Sequence, residues 1–144
     1  MTRENLTQAH VIETGASAFA VTIDVSGHRL TGDEPEGAGG KNLGPAPYDF
    51  LLAALGECMA MTMRWYARQK NWPLEKVEVT VTHRKEKRPD RKFPVDVFVK
   101  AITLHAPALD DDQRAKLIEI AAKCPIQRTL ENMPEIETIE VNHQ

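Results

Sequence analysis

The apolar positions of this chain change period along its length, and those changes predict its elements. Ala18 to Val25, AFAVTIDV, alternates apolar and polar residues as a half-buried strand does. Ser26-Gly27 is a turn signal, so His28 to Thr31 is expected to return as the second strand of a hairpin. From Gly32 to Pro47, five glycines and three prolines predict a loop. Tyr48 to about Lys70 then runs without Gly or Pro apart from Gly56, the longest helical pattern in the chain. Its first half, DFLLAALGECMAM, is apolar on nearly every face, which predicts burial on all sides. Its second half, RWYARQK, is amphipathic and reaches solvent, and Pro73 marks its end.

Leu74 to Thr82 alternates with Val77, Val79 and Val81 on one face, and Phe93 to Leu104 alternates with Val95, Val97 and Val99 on one face. The charged run His83 to Lys92 between them reads as a solvated turn, so the two strands are expected to form a hairpin packed by its valine faces. Asp110 to Lys123 predicts a second helix, capped by Asp110 or Asp111, with Leu117, Ile120, Ala121 and Cys124 on one face. Pro125 breaks that pattern. Ile126 to Asn132 then suggests a short helix, and Ile136 to Val141 a last strand. The fold class is α+β, in a single domain over the 144 residues. One sheet from so short a chain hardly covers an all-apolar helix, so a second copy is expected to cover it in a homodimer.

Composition narrows the function. Hydrophobic residues at 42% and charged residues at 27% are ordinary for a globular protein. A net charge of −3 supplies no basic field, so neither nucleic acid nor an anionic membrane is an expected partner. The longest apolar run, Phe50 to Leu55, is too short to span a bilayer. Met1 to His10 is polar and lacks an apolar signal core, so the expected location is the reducing cytoplasm. There, the two cysteines are buried free thiols, metal ligands or a redox pair rather than a structural staple. Cys58 falls mid-helix among apolar residues. Cys124 falls where the second helix ends, 66 residues away and far from any CxxC spacing. Local pattern alone favours inert core thiols, because burial raises a thiol's pKa and dulls it.

The order of several short motifs is more specific. Asp33-Glu34-Pro35, Gly39-Gly40, Gly44-Pro45-Ala46-Pro47, Leu51-Leu52-Ala53-Ala54-Leu55, Cys58, and then Lys123-Cys124-Pro125-Ile126 with Arg128 form one pattern. The run GGxxxGPxPxxxLLAALxxC followed by KCPIxR resembles the OsmC/Ohr family of thiol-dependent peroxidases, in its OsmC-like branch. The resemblance spans about Val21 to Val141. It implies a swapped homodimer with long central helices wrapped by antiparallel sheets. It further implies that Cys58 attacks an organic, lipid-like hydroperoxide and that Cys124 resolves the sulfenic acid to a disulfide. A dithiol reductant then restores the pair, with no metal or organic cofactor. Family members stabilise the thiolate with an N-terminal arginine, for which Gly15 to Ala18 offers no cation. They also carry a glutamate where this chain has Tyr48. Asp49 is the candidate acid, and Arg29 and Arg128 are the candidate cations.

Other residues have plainer readings. His28 and His83 with two cysteines make a zinc site conceivable, but closely spaced ligand pairs are absent. Met59, Met61 and Met63 spread over different helix faces and read as packing, or as a flexible wall for a varied ligand. Trp65, Tyr66 and Trp72 line either a hydrophobic mouth or a dimer rim. Gly39-Gly40 and Gly44 match no phosphate-binding motif and read as a loop with unusual backbone demands. Beside the peroxidase stand two alternatives: a binding protein that keeps the fold for a small apolar ligand, and a redox sensor or stress-induced structural protein.

Overall fold

The computed structural model describes residues 6–141. The reading of Met1 to His10 therefore lies partly outside the described residues. The chain divides after Leu51 into two compact units.

The first unit is a three-stranded antiparallel sheet in the order β1-β2-β3, with β1 at Ala9–Glu13, β2 at Val21–Val25 and β3 at His28–Gly32. The hairpin closes over Ser26 and Gly27, both at positive φ, as a two-residue turn matched to strand twist requires. β1 is an addition to the sequence expectation. It lies on an exposed edge and pairs Ala9 with Val25 through Glu13 with Val21.

The glycine-rich loop is organised by Asp33, which is 3% exposed. Its carboxylate accepts from Ser17 Oγ at 2.7 Å and from the amides of Glu34, Lys41 and Leu43 at 2.8, 3.0 and 3.2 Å. Gly44 is required where the loop crosses β3: a Cβ there would stand 2.1 Å from the Thr31 carbonyl oxygen.

The long helix α1, Pro47–Gln69, begins in the first unit and continues through the second. Pro47 takes its first position, where no N–H is needed. Asn71, at φ 54°, and Pro73 follow its end. Within the second unit its buried face is the stripe Leu55, Met59, Met63 and Ala67, spaced by four. The single chain leaves part of this helix uncovered: Met61, in its apolar first half, is 60% exposed on another face, and Trp65, in the amphipathic second half, is 62% exposed.

Strands β4, Lys76–Glu86, and β5, Val95–His105, form the second sheet. Their register pairs Val77 with Leu104, Val79 with Ile102, Val81 with Lys100 and His83 with Phe98. Directly paired residues share a face. The face turned to the core therefore carries Val77, Val79 and Val81 with Phe98, Ile102 and Leu104. The expected packing by two valine faces is thus wrong for β5. Val95, Val97 and Val99 lie on the opposite face, because both phases of this strand are apolar and the register of β4 selects between them. The helix approaches this sheet at Gly56, where a Cβ would stand 3.3 Å from Val81.

Helix α2, Asp111–Ala121, is capped by Asp110 in a reciprocal box with Gln113. Helix α3, Pro125–Glu131, follows. The last strand expected at Ile136–Val141 does not form. The segment forms no ladder within the described residues, and an extended stretch without a ladder partner is not a strand.

Burial alone raises the pKa of the Asp33 carboxyl, but hydrogen bonds from Ser17, Lys41, Leu43 and Glu34 outweigh it and hold the group below the ordinary carboxylate value. A lowered folded pKa stabilises the fold above the unfolded value of 3.8 and is lost as pH falls through the folded one. Urea midpoints from about pH 5 to about pH 2 are expected to fall more steeply in the wild type than in Asp33→Asn, which unfolds at lower urea near neutrality. Parallel curves would show that Asp33 carries no such linkage.

Candidate active site

Cys58 lies in the middle of α1, on the flank of its buried stripe, and is partly exposed. The Thr62 hydroxyl donates to the Cys58 carbonyl at 2.7 Å and so is occupied within the helix. Cys124 is fully buried at 0% exposure and belongs to the core with Leu117 and Ala121 of α2.

The local sequence explains how Cys124 is held. Pro125 has no N–H to continue α2 but suits the first position of α3. Cys124 thereby becomes the N-cap of α3, and its Sγ accepts from the Gln127 amide at 3.4 Å. The adjacent Ile126 amide donates to Cys58 Sγ at 3.5 Å. Two neighbouring first-turn amides, which have no partner inside the helix, thus each meet one sulfur. The two thiols are free and lie near one another, each receiving an amide of the first turn of α3.

Their surroundings differ. Cys58 opens into a shallow depression of about 480 Å³ lined by Met61, Thr62, Trp65, Lys123 and Pro125. Lys123 stands on its rim with its ammonium held by Glu119 at 3.2 Å. Cys124 has no such opening. Burial pushes its thiol above the ordinary value, and the proximity of Cys58 adds to the rise. The Gln127 amide and the positive charge of Lys100 act in the opposite direction.

Arg29 lies in the first unit, exposed and paired with Asp24 at 2.8 Å. Asp49, also in the first unit, accepts from the Ala46 amide at 2.9 Å, reaching back over the start of α1 as the third residue of a helix commonly does. Arg128 donates its backbone amide to the Cys124 carbonyl at 3.1 Å, while its side chain is exposed on α3. The aromatic and methionine side chains are sorted by face. Trp65 and Met61 line the depression, whereas Met59 and Met63 are core, and Tyr66 and Trp72 pack edge to face at 5.5 Å. His28 is exposed at the β2–β3 turn, and His83 bonds Asp96 at 2.8 Å. Among the described residues no cluster of three or more His, Cys, Asp or Glu side chains could hold a metal. No helix among them is long and apolar enough to cross a membrane.

Lys100 is absent from the sequence expectations. The strand register turns it to the core face of β5 opposite Val81, where it is half-buried and donates to Gln127 Oε1. A lysine in phase with Phe98, Ile102 and Leu104 was the available signal.

The family model described as OsmC-like protein matches residues 39–139. The chain belongs to the OsmC-like family. An OsmC like protein from Mycoplasma pneumoniae matches with a TM-score of 0.73 at 20% identity, covering 90% of each chain. The organic hydroperoxide resistance protein OsmC from Legionella pneumophila matches at 0.67 and 16%, covering 91% of this chain and 93% of that one. The organic hydroperoxide resistance protein OhrB of Bacillus subtilis matches at 0.62 and 14%, covering 89% and 92%. At these identities the likenesses show the fold. No curated protein matches the sequence. The OsmC-like family includes thiol-dependent peroxidases.

The difference in access predicts which sulfur reacts with reagents in solution. Brief iodoacetamide treatment of the reduced, folded protein near neutral pH is expected to modify Cys58 roughly tenfold or more faster than Cys124 by peptide mass mapping. Equal labelling would contradict the sealed position of Cys124.

Proposed function

We propose that this OsmC-like protein is a thiol peroxidase for organic, lipid-like hydroperoxides in stress defence, with Cys58 as the attacking sulfur and Cys124 as the resolving one. The observation that supports this reading is the proximity of two free thiols of opposite access, one in an apolar-walled depression and one fully buried, with neighbouring amides of one helix turn on the two sulfurs. The Cys58 thiolate attacks the terminal peroxide oxygen. The O–O bond breaks, the organic alkoxide leaves and takes a proton as the alcohol, and Cys58 becomes a sulfenic acid. Cys124 loses its proton and its sulfur attacks the sulfenic sulfur. The S–S bond forms, the S–O bond breaks, and hydroxide leaves as water. A dithiol reductant returns both thiols by exchange.

Asp49, with Arg29 or Arg128, belongs to this proposal as the acid and cation that the family pattern calls for. So do the action of the chain as one domain, its place in the cytoplasm, and its assembly as a swapped homodimer. Two uncovered surfaces support the dimer: the Met61–Trp65 face of α1, and the extended tail, in which Ile136 and Ile139 are 87% and 82% exposed. A binding protein for a small apolar ligand is the second reading, favoured by the absence of any cation in Gly15 to Ala18.

With a dithiol reductant and cumene hydroperoxide, the wild type is expected to consume peroxide over many turnovers. Cys58→Ser should fall to the rate of reductant alone, and Cys124→Ser should lose the intramolecular disulfide. Undiminished turnover in Cys58→Ser would remove that assignment. Ligand retention by an inactive wild type would favour the binding protein. Light scattering is expected to give twice the single-chain mass, and deletion from Met133 onward to reduce it; a monomeric wild type would exclude the dimer.

A further inference from the structure

The apolar face of β5 is interrupted by a single cation. Lys100 stands between Phe98 and Ile102 on the core side, opposite Val81. A lysine is rarely placed there, because a half-buried ammonium loses hydration that a partner must replace. The partner is not a carboxylate. Lys100 Nζ donates to the side-chain oxygen of Gln127 on α3. The nearby acid, Glu131, accepts instead from the Gln127 amide nitrogen at 2.5 Å. The neutral side-chain amide therefore stands between the two charges, and among the described residues Lys100 forms no ion pair. The backbone of that same Gln127 donates to Cys124 Sγ at 3.4 Å. Lys100 is thus joined to the buried sulfur through one residue, and its charge reaches that sulfur.

The geometry points to Lys100 as a positioning residue for Cys124: its ammonium fixes Gln127 against the sulfur and favours the anionic form of that sulfur when the disulfide closes. The inference rests on the peroxidase reading for its place in the reaction, because only the resolving step requires the sealed thiol to ionise. In that step the Cys124 proton is released, the thiolate attacks the sulfenic sulfur of Cys58, and hydroxide departs. Burial in the core raises the pKa of Cys124 and Cys58 on α1 adds to the rise, while the Gln127 amide on α3 and Lys100 on β5 act against it. Glu131 faces Lys100 across Gln127, and Leu55 of α1 and Val81 of β4 bring no charge.

A role confined to tying β5 to α3 would require only shape and a hydrogen bond. A role through charge shifts a titration. In a Cys58→Ser background, where Cys124 is the sole thiol, ultraviolet thiolate absorbance against pH gives its midpoint directly. Lys100→Met is expected to raise that midpoint by about 1 unit, and Lys100→Arg to restore it. Lys100→Gln carries the same decision should Lys100→Met fail to fold. An unchanged midpoint in the neutral variant would overturn the inference. In the two-cysteine protein, Lys100→Met is expected to slow disulfide closure after one equivalent of peroxide about tenfold near neutral pH. Closure at the wild-type rate would also overturn it. The titration uses no peroxide, so a failed peroxidase assay and a failed role for Lys100 give different results.

Discussion

Two sulfurs 66 residues apart meet because one helix is made to stop and another to start at Pro125. Had α2 continued, the residues after Cys124 would have extended away along its axis. Proline cannot supply the continuing hydrogen bond, yet its fixed φ suits the first position of a new helix. The change of direction places Cys124 as a cap and brings the next two free amides onto the two thiols. Sulfur is a weak acceptor, so these bonds contribute little each. What fixes the geometry is burial: Cys124 is a fully enclosed member of the core formed by α1, α2 and the second sheet. The position of the candidate site is therefore inherited from packing, with the helix start supplying only its local orientation.

That origin accounts for the asymmetry of the pair. A core residue at the foot of α2 is sealed by the side chains that hold it, whereas a residue on the flank of α1 is sealed on one side only. The helical period sorts α1 accordingly. Met59 and Met63 face inward with Leu55 and Ala67, while Met61 and Trp65 stand outside beside the opening at Cys58. The same residue type thus serves as core on one face and as a flexible, polarisable wall on another. An incoming molecule meets the sulfur of α1 first. Cys124, at 0% exposure, offers it no surface.

The sequence made legible those features that depend on local chemistry. The long helix, the hairpin at Ser26-Gly27, the Asp110 cap and the break at Pro125 each rest on residues within a few positions of one another. The features it concealed depend on pairing. β1 is a short exposed edge whose five residues form a strand only because β2 offers a ladder. Ile136 to Val141 shows the reverse, with strand-forming residues and no ladder partner among the described residues. β5 is ambiguous because Val95, Val97 and Val99 compete with Phe98, Ile102 and Leu104, and only the register against β4 separates the phases. At the site, the two cysteines and the proline between helices were legible from the family pattern. Lys100 was hidden by the wrong phase, since a lysine assigned to the outer face is unremarkable.

The placement of that charge bears on which step of the chemistry the fold favours. An arginine beside the open sulfur, as the family pattern expects, would act on the first attack. A guanidinium is also suited to hold a carboxylate with two parallel bonds. An ammonium on the sheet, bonded to a neutral amide beside the sealed sulfur, is a different device. It lines a separate cavity with Leu55, Phe98 and Gln127 and is not among the residues that line the depression at Cys58. Its effect falls on the thiol whose ionisation burial opposes, and which gains from a nearby cation because it is removed from water. If the proposed chemistry holds, the positive charge of Lys100 bears on the closing of the disulfide, a different step from the opening attack at Cys58, whose depression has Lys123 on its rim.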